Sequence, residues 1–182
     1  MKKKYVGIAL ASFMAMSTAH AEDVASVLAV TGTVTATSDA CQIVLNKSSV
    51  NLTADTNNII KQGEKATSIS PIQMQVWAVN DNNSCASKLW KGKIAVRFVG
   101  THDNADGTTF INTASGEDAA SGVGIGFFET NNTPIDINQP YSMGEKSNSA
   151  TKFIGLQLVE LNGQKATKGK VTGEVTFQIE RL

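Results

Sequence analysis

The chain has 182 residues, with 16 basic and 16 acidic side chains, two cysteines and 41% hydrophobic residues. That length suits one domain with a real core, and a charge balance that turns negative once the leader is removed argues against nucleic acid as a partner. No run after the leader approaches the roughly 20 apolar residues that a membrane-spanning helix needs.

Residues 1–21 read as a signal peptide. Lys2, Lys3 and Lys4 precede an apolar run from Tyr5 to Met16, followed by small residues ending in Ala19-His20-Ala21, the three-part pattern of a secretory leader. The mature chain is therefore expected to begin near Glu22 and to be exported and soluble. The leader holds three of the sixteen basic residues and none of the sixteen acidic ones, leaving 13 against 16 and a net charge of about −3.

Both ends of the mature chain have the period of two that marks strands. Near the start, Val24, Ser26, Leu28, Val30 and Gly32 form an alternating row ahead of the first cysteine. A strand placed there is able to serve a neighbouring molecule. Further candidate strands run from Val34 to Leu52 with a break, Ile69 to Val79, Lys93 to Gly100, Gly122 to Glu129, Phe153 to Leu161 and Lys170 to Arg181. In the last of these, Val171, Gly173, Val175, Phe177 and Ile179 share one face, and Thr172, Glu174, Thr176, Gln178 and Glu180 the other. Asn80 to Ser84, Thr101 to Thr108, Thr130 to Pro134 and Asn162 to Thr167 read as turns or loops. Ala54 to Thr67 and Pro140 to Thr151 are polar stretches open to either a short strand or a helical turn. Short strands without alternating helices imply an antiparallel sandwich.

Cys41 and Cys85 are the only cysteines, and in an exported chain an even count most simply pairs. By the loop-entropy relation, a bridge over a loop of this length stabilises by about 4 kcal/mol.

Motifs for chemistry are thin. Gly122, Gly124 and Gly126 lack the spacing and the following helix of a dinucleotide loop, so they read as a strand that lets another backbone approach closely. Ser149 and Lys152 match an S-x-x-K pattern without its companion elements. The loop from His102 to Gly107 has Ala105 where a calcium loop needs an oxygen and reads as a solvated turn. Asn46, Asn51, Asn82 and Asn131 open glycosylation sequons, which carry little weight in a chain so rich in Asn, Ser and Thr. Trp77 and Trp90 are able to stack on a sugar, but without a polar cluster around them they read as packing residues. No catalytic group, cofactor or metal site is expected.

Taken in order, these features resemble the pilin subunits of bacterial chaperone-usher fimbriae. The resemblance runs from Ser26-Val-Leu-Ala-Val-Thr-Gly32 and Gly32-Thr-Val-Thr leading to Cys41, through Cys85 and the strand ending in Phe98-Val-Gly100. It continues through Ala120-Ser-Gly-Val-Gly-Ile125, Asn132-Thr-Pro-Ile135 and the terminal Gly173-x-Val-x-Phe177. Arg181 stands where family members usually carry tyrosine, and the stretch between Gly32 and Cys41 is slightly longer than in type 1 shaft pilins.

The resemblance implies an all-β fold, an incomplete immunoglobulin-like sandwich lacking its final strand (residues 32–182) with an N-terminal donor extension (residues 22–31). Donor-strand complementation between chaperone and pilin is an established form of β-augmentation. On this pattern Val24, Leu28 and Val30 fill the groove of the next subunit, Ser26 fits a constriction and Gly32 closes the row. Burial of three aliphatic side chains contributes at most about 5 to 9 kcal/mol. The strand carrying Val171, Gly173, Val175, Phe177 and Ile179 forms the groove edge beside which a periplasmic chaperone adds its own strand. An outer-membrane usher then exchanges that strand for the incoming subunit's, giving a head-to-tail polymer on the cell surface. The expected function is thus a structural fimbrial subunit. The alternatives are a minor adaptor pilin and a secreted carbohydrate-binding sandwich.

Overall fold

The computed structural model describes residues 26–31, 41–78, 84–103, 106–144 and 149–182. Among these residues eleven strands and one short helix follow one another: β1 Ser26–Thr31, β2 Cys41–Leu45, β3 Ser49–Leu52, β4 Ile60–Lys61, β5 Ser70–Ala78, α1 Ser84–Trp90, β6 Ile94–Val99, β7 Phe110–Ile111, β8 Val123–Phe128, β9 Tyr141–Ser142, β10 Ser149–Glu160 and β11 Thr172–Arg181. They form the two sheets of a nearly all-β sandwich. One has the order β3-β1-β11-β6-β9, and the other β2-β5-β10-β8-β7 with β4 added beside β10.

Alternation decides which face of each strand turns inward. On β5, Ile72, Met74 and Val76 are fully buried and pair with Ile154, Lys152 and Ala150 of β10, while Gln73, Gln75 and Trp77 take the outer face. The two sheets meet in a ring cluster. Phe98 of β6 lies 5.0 Å from Phe127 of β8 and 5.3 Å from Phe177 of β11, edge-on to the latter at 87°, a favoured arrangement of ring quadrupoles.

Most pairings are antiparallel, but β1 runs parallel to β11 and β4 parallel to β10. The antiparallel sandwich expected from the sequence is thus present, with two parallel pairs within it. The short helix α1 lies between the turn expected to end at Ser84 and the strand expected to begin at Lys93, where the sequence suggested no element. Cys85, Ala86 and Leu89 bury one side of this helix, and Gly92, with φ 67°, ends it as its N–H donates to Leu89 O, the left-handed stop that glycine allows. The disulfide joins Cys41 at the start of β2 to Cys85 in α1, with Cα atoms 5.3 Å apart.

The loop after β6 is more than a solvated turn. Asp103 is buried, its carboxylate accepting from Gln62 Nε2 at 3.0 Å and from the Thr109 N–H at 3.1 Å. Among the described residues no helix is long and apolar enough to cross a membrane.

Candidate strand-insertion site

β11 lies at the centre of its sheet, and its two sides are unlike. On one side β6 pairs with residues 176–181. On the other side, among the described residues, β11 pairs with β1 through Val27↔Thr172, Leu28↔Gly173, Ala29↔Glu174, Val30↔Val175 and Thr31↔Thr176. β1 in turn pairs antiparallel with β3, through Ser26↔Leu52, Val27↔Asn51, Leu28↔Val50 and Ala29↔Ser49. β1 thus occupies a slot between β3 and β11, and no other strand pairing of β3 is described.

The walls of the slot belong to the core. Val171, Val175 and Phe177 are buried, as is Gly173, and Ile179 is half-buried. These alternate residues form a row facing the other sheet. On the opposite wall Val50 and Leu52 are buried while Ser49 and Asn51 are exposed. The register sets Ser26 against Leu52, Leu28 against both Val50 and Gly173, and Val30 against Val175. Ser26, Leu28 and Val30 therefore fall on the positions that continue the core-facing rows of both neighbours. Val24 and Gly32 lie outside the described residues.

The start of β11 is anchored by contacts that the sequence did not advertise. Asn112 Nδ2 donates to the carbonyls of Ala120 and Lys170 at 2.8 and 2.9 Å, while its Oδ1 accepts from the Thr172 N–H at 2.9 Å. The Thr113 N–H donates to Thr172 O at 2.8 Å. Near the other end, Arg97 Nε donates to Glu180 Oε2 across the β6–β11 pair at 2.7 Å, and the Glu180 carboxylate holds the exposed guanidinium more firmly charged. β11 is thus held at its start by Asn112 and Thr113 and along residues 176–181 by β6, in addition to its pairing with β1.

Other residues singled out in the sequence are dispersed. Ser149 and Lys152 fall on opposite faces of β10, and the Lys152 ammonium stands 5.8 Å from the centre of the Tyr141 ring. Among Gly122, Gly124 and Gly126, Gly122 makes the closest backbone approach, since a Cβ there would lie 2.4 Å from Lys165 O, while within β8 a Cβ on Gly124 would lie 2.9 Å from Phe110 O and 2.5 Å from Thr109 Cγ2. Among the described residues no group of three or more His, Cys, Asp or Glu is placed to hold a metal ion.

The Fimbrial protein family model matches residues 28–180. Similar solved structures include the P pilus rod subunit PapA, 14% identical, covering 81% of this chain and 95% of that one with a TM-score of 0.47. A Burkholderia pseudomallei antigen and type I fimbria protein is 19% identical, covering 86% and 90% with a TM-score of 0.42. No curated protein sequence matches. The family match extends from the second half of the slot-filling strand to the end of the strand that walls the slot, so the chain belongs to the fimbrial protein family and is a structural subunit of a pilus at the cell surface.

Proposed function

We propose that the slot between β3 and β11 is where each subunit receives a strand, and that residues 22–31 of one subunit fill the slot of the next. The observation that carries this reading is the position of β1. Removing it strips β3 of its described pairing and opens one side of β11, while the rest of both sheets keeps its ladders. The strand most separable from the domain is also nearest the chain's start, so it is free to be supplied by another copy. Val24, Ser26, Leu28, Val30 and Gly32 form the donor row, and Val171, Gly173, Val175, Phe177 and Ile179 the acceptor wall. Head-to-tail contacts of this kind do not close and therefore extend. Before assembly an open slot exposes an unpaired edge and core surface, a template for aggregation, so a periplasmic chaperone occupies it in transit and an outer-membrane usher directs the exchange.

The test is a subunit lacking residues 22–31, expressed with its chaperone. It should remain chaperone-bound yet form no detergent-stable filaments, and a synthetic peptide spanning Glu22 to Thr33 should displace the chaperone on native gels. A peptide carrying Ser26→Phe should exchange more slowly, through overpacking of about 1–3 kcal/mol opposite Leu52. Filaments from the truncated subunit would overturn the donor assignment, and equal exchange by both peptides would overturn the constriction at Ser26.

A further inference from the structure

The outer face of the β2-β5-β10 sheet divides into two halves. Towards the end of β10 it is roofed. The segment 54–69 lies over it, packing Ile60, Ala66 and Ile69 on Phe128 and Val159. The amide oxygen of Gln157 fixes that roof by accepting the N–H groups of Thr67 and Ser68, each at 2.9 Å. Towards the start of β10 no such roof is found among the described residues. Three rows of paired residues stand there side by side: Gln42, Trp77 and Ser149, then Val44, Gln75 and Thr151, then Asn46, Gln73 and Phe153. None of the nine carries a charge, and Val44, Trp77 and Phe153 are 39%, 39% and 48% exposed. A charge does lie at the rim, where Lys47 Nζ donates to Pro71 O.

We propose that this face is a binding platform for an uncharged glycan. An aromatic ring face meets the apolar C–H face of a pyranose, and amides and hydroxyls beside it satisfy the sugar's equatorial hydroxyls. The platform supplies both kinds of group. The indole N–H of Trp77 is held by Gln42 Oε1 at 3.0 Å, which fixes the ring's orientation and leaves its π-face to make the contact. Gln73, Gln75 and Thr151 lie between Trp77 and Phe153 on the same face.

The lack of charge favours a neutral ligand over an acidic one. The small area favours a sugar over a protein. Three strands about 4.8 Å apart and five residues at about 3.4 Å each cover on the order of 240 Å², well under the roughly 800 Å² per partner of a stable protein interface. Its apolar residues are also separated by amides rather than gathered into a dry centre. Repetition of the platform along a filament would multiply weak individual contacts.

The test is a glycan array of neutral and acidic oligosaccharides probed with the full secreted subunit, followed by affinity electrophoresis through gels containing soluble neutral polysaccharides such as dextran and galactomannan. Neutral sugars should bind and should change the tryptophan fluorescence. Trp77→Ala and Phe153→Ala should each weaken binding about tenfold or more, while Trp90→Ala, a change at an exposed tryptophan of α1 outside the three paired rows, should not. Because Trp77→Ala removes a large side chain from β5, Thr151→Lys provides a second variant that keeps the ring and adds charge at the centre, and circular dichroism checks its fold. It too should abolish binding. Failure of all neutral glycans, binding confined to acidic ones, or binding that survives both Trp77→Ala and Thr151→Lys would overturn the proposal. So would concentration-dependent self-association lost on Thr151→Lys, which would assign the face to a second copy of the chain.

Discussion

β10 and β11 are the two longest strands, and both carry core residues, yet their surroundings differ. β10 pairs with β5 over residues 149–156 and with β8 over 155–160, and segment 54–69 covers part of its outer face. Everything that flanks it comes from chain held on both sides by sheet. β11 has comparable support from β6, but its other flank rests on β1, held by five register pairs to β11 and four to β3. The chain thus covers one strand with its own interior segments and the other with a terminal strand. A terminal strand can leave without unravelling what precedes it, which makes that flank the place where one molecule is able to complete another.

The sharpest way to break this comparison is to remove residues 22–31 and follow amide exchange. Residues 49–52 and 172–176 should lose protection almost completely, whereas 149–160 should keep most of theirs, because opening free energies differ between cooperative units. Equal loss in both strands would mean that β1 is an integral part of one cooperative fold.

The next largest effects test the walls. Phe177→Ala should destabilise by about 3–5 kcal/mol, since its ring packs edge-on against Phe98 and is 2% exposed. Removing the disulfide through Cys41→Ser with Cys85→Ser should cost about 4 kcal/mol by loop entropy, read from urea denaturation. The first change should also impair binding of the donor peptide, because Phe177 lines the slot, and the second should lower stability with less effect on that binding.

How much of this was legible in the sequence depends on where each segment's partner lies. β5, β6, β8 and β11 carry clear alternation, and their boundaries fall within a few residues of the periodic segments. The pairing of Cys41 with Cys85 needed only a count and a compartment. α1 was missed because seven residues carry two turns at most, too few to register as a period, and its helical stop at Gly92 resembles any loop glycine. β4 and β7 are two residues each, fixed by neighbours distant in sequence: Ile60 meets Val159, and Phe110 meets Ile125. Asn112 is one of many asparagines until its carboxamide is seen bridging Ala120, Lys170 and Thr172. The glycan platform shows the same limit, since the amides around Trp77 come from β2, β5 and β10 and become neighbours only through pairing.

A smaller perturbation sharpens the roof side of the comparison. A Cβ on Gly155 would stand 2.6 Å from Ile69 Cβ, so Gly155→Ala must push the roof away or shift β10. The expected cost is about 1–3 kcal/mol, with faster exchange at 59–69 and unchanged exchange at 49–52. If β3 loosened as well, the two flanks would be coupled rather than independent.

The smallest expected effect is a dependence on acid that belongs to the roof side alone. Gln62, buried beside β4, donates through Nε2 to both Asp103 and Asp106, and the Asp106 carboxylate also accepts from Asn162 Nδ2 at 3.1 Å. The Thr108 hydroxyl bond is the chief cause that lowers the Asp106 pKa, helped by the Thr108 N–H and Asn162 and opposed by partial burial. A carboxylate with a lowered folded pKa contributes stability above its unfolded value of about 3.9, and that contribution is lost as pH falls through the lowered folded value. The window therefore lies below about pH 4. Asp106 is exposed, so solvent screens the effect and it should be modest. Asp106→Asn should be slightly less stable than the native chain above pH 4, and the gap should close as pH falls towards 2, as measured by urea midpoints across that range. Exchange at 60–69 should follow the same curve while β1 and β3 show none of it. A gap independent of pH would mean that the shape of the Asp106 side chain, and not its charge, ties Gln62 to the loop.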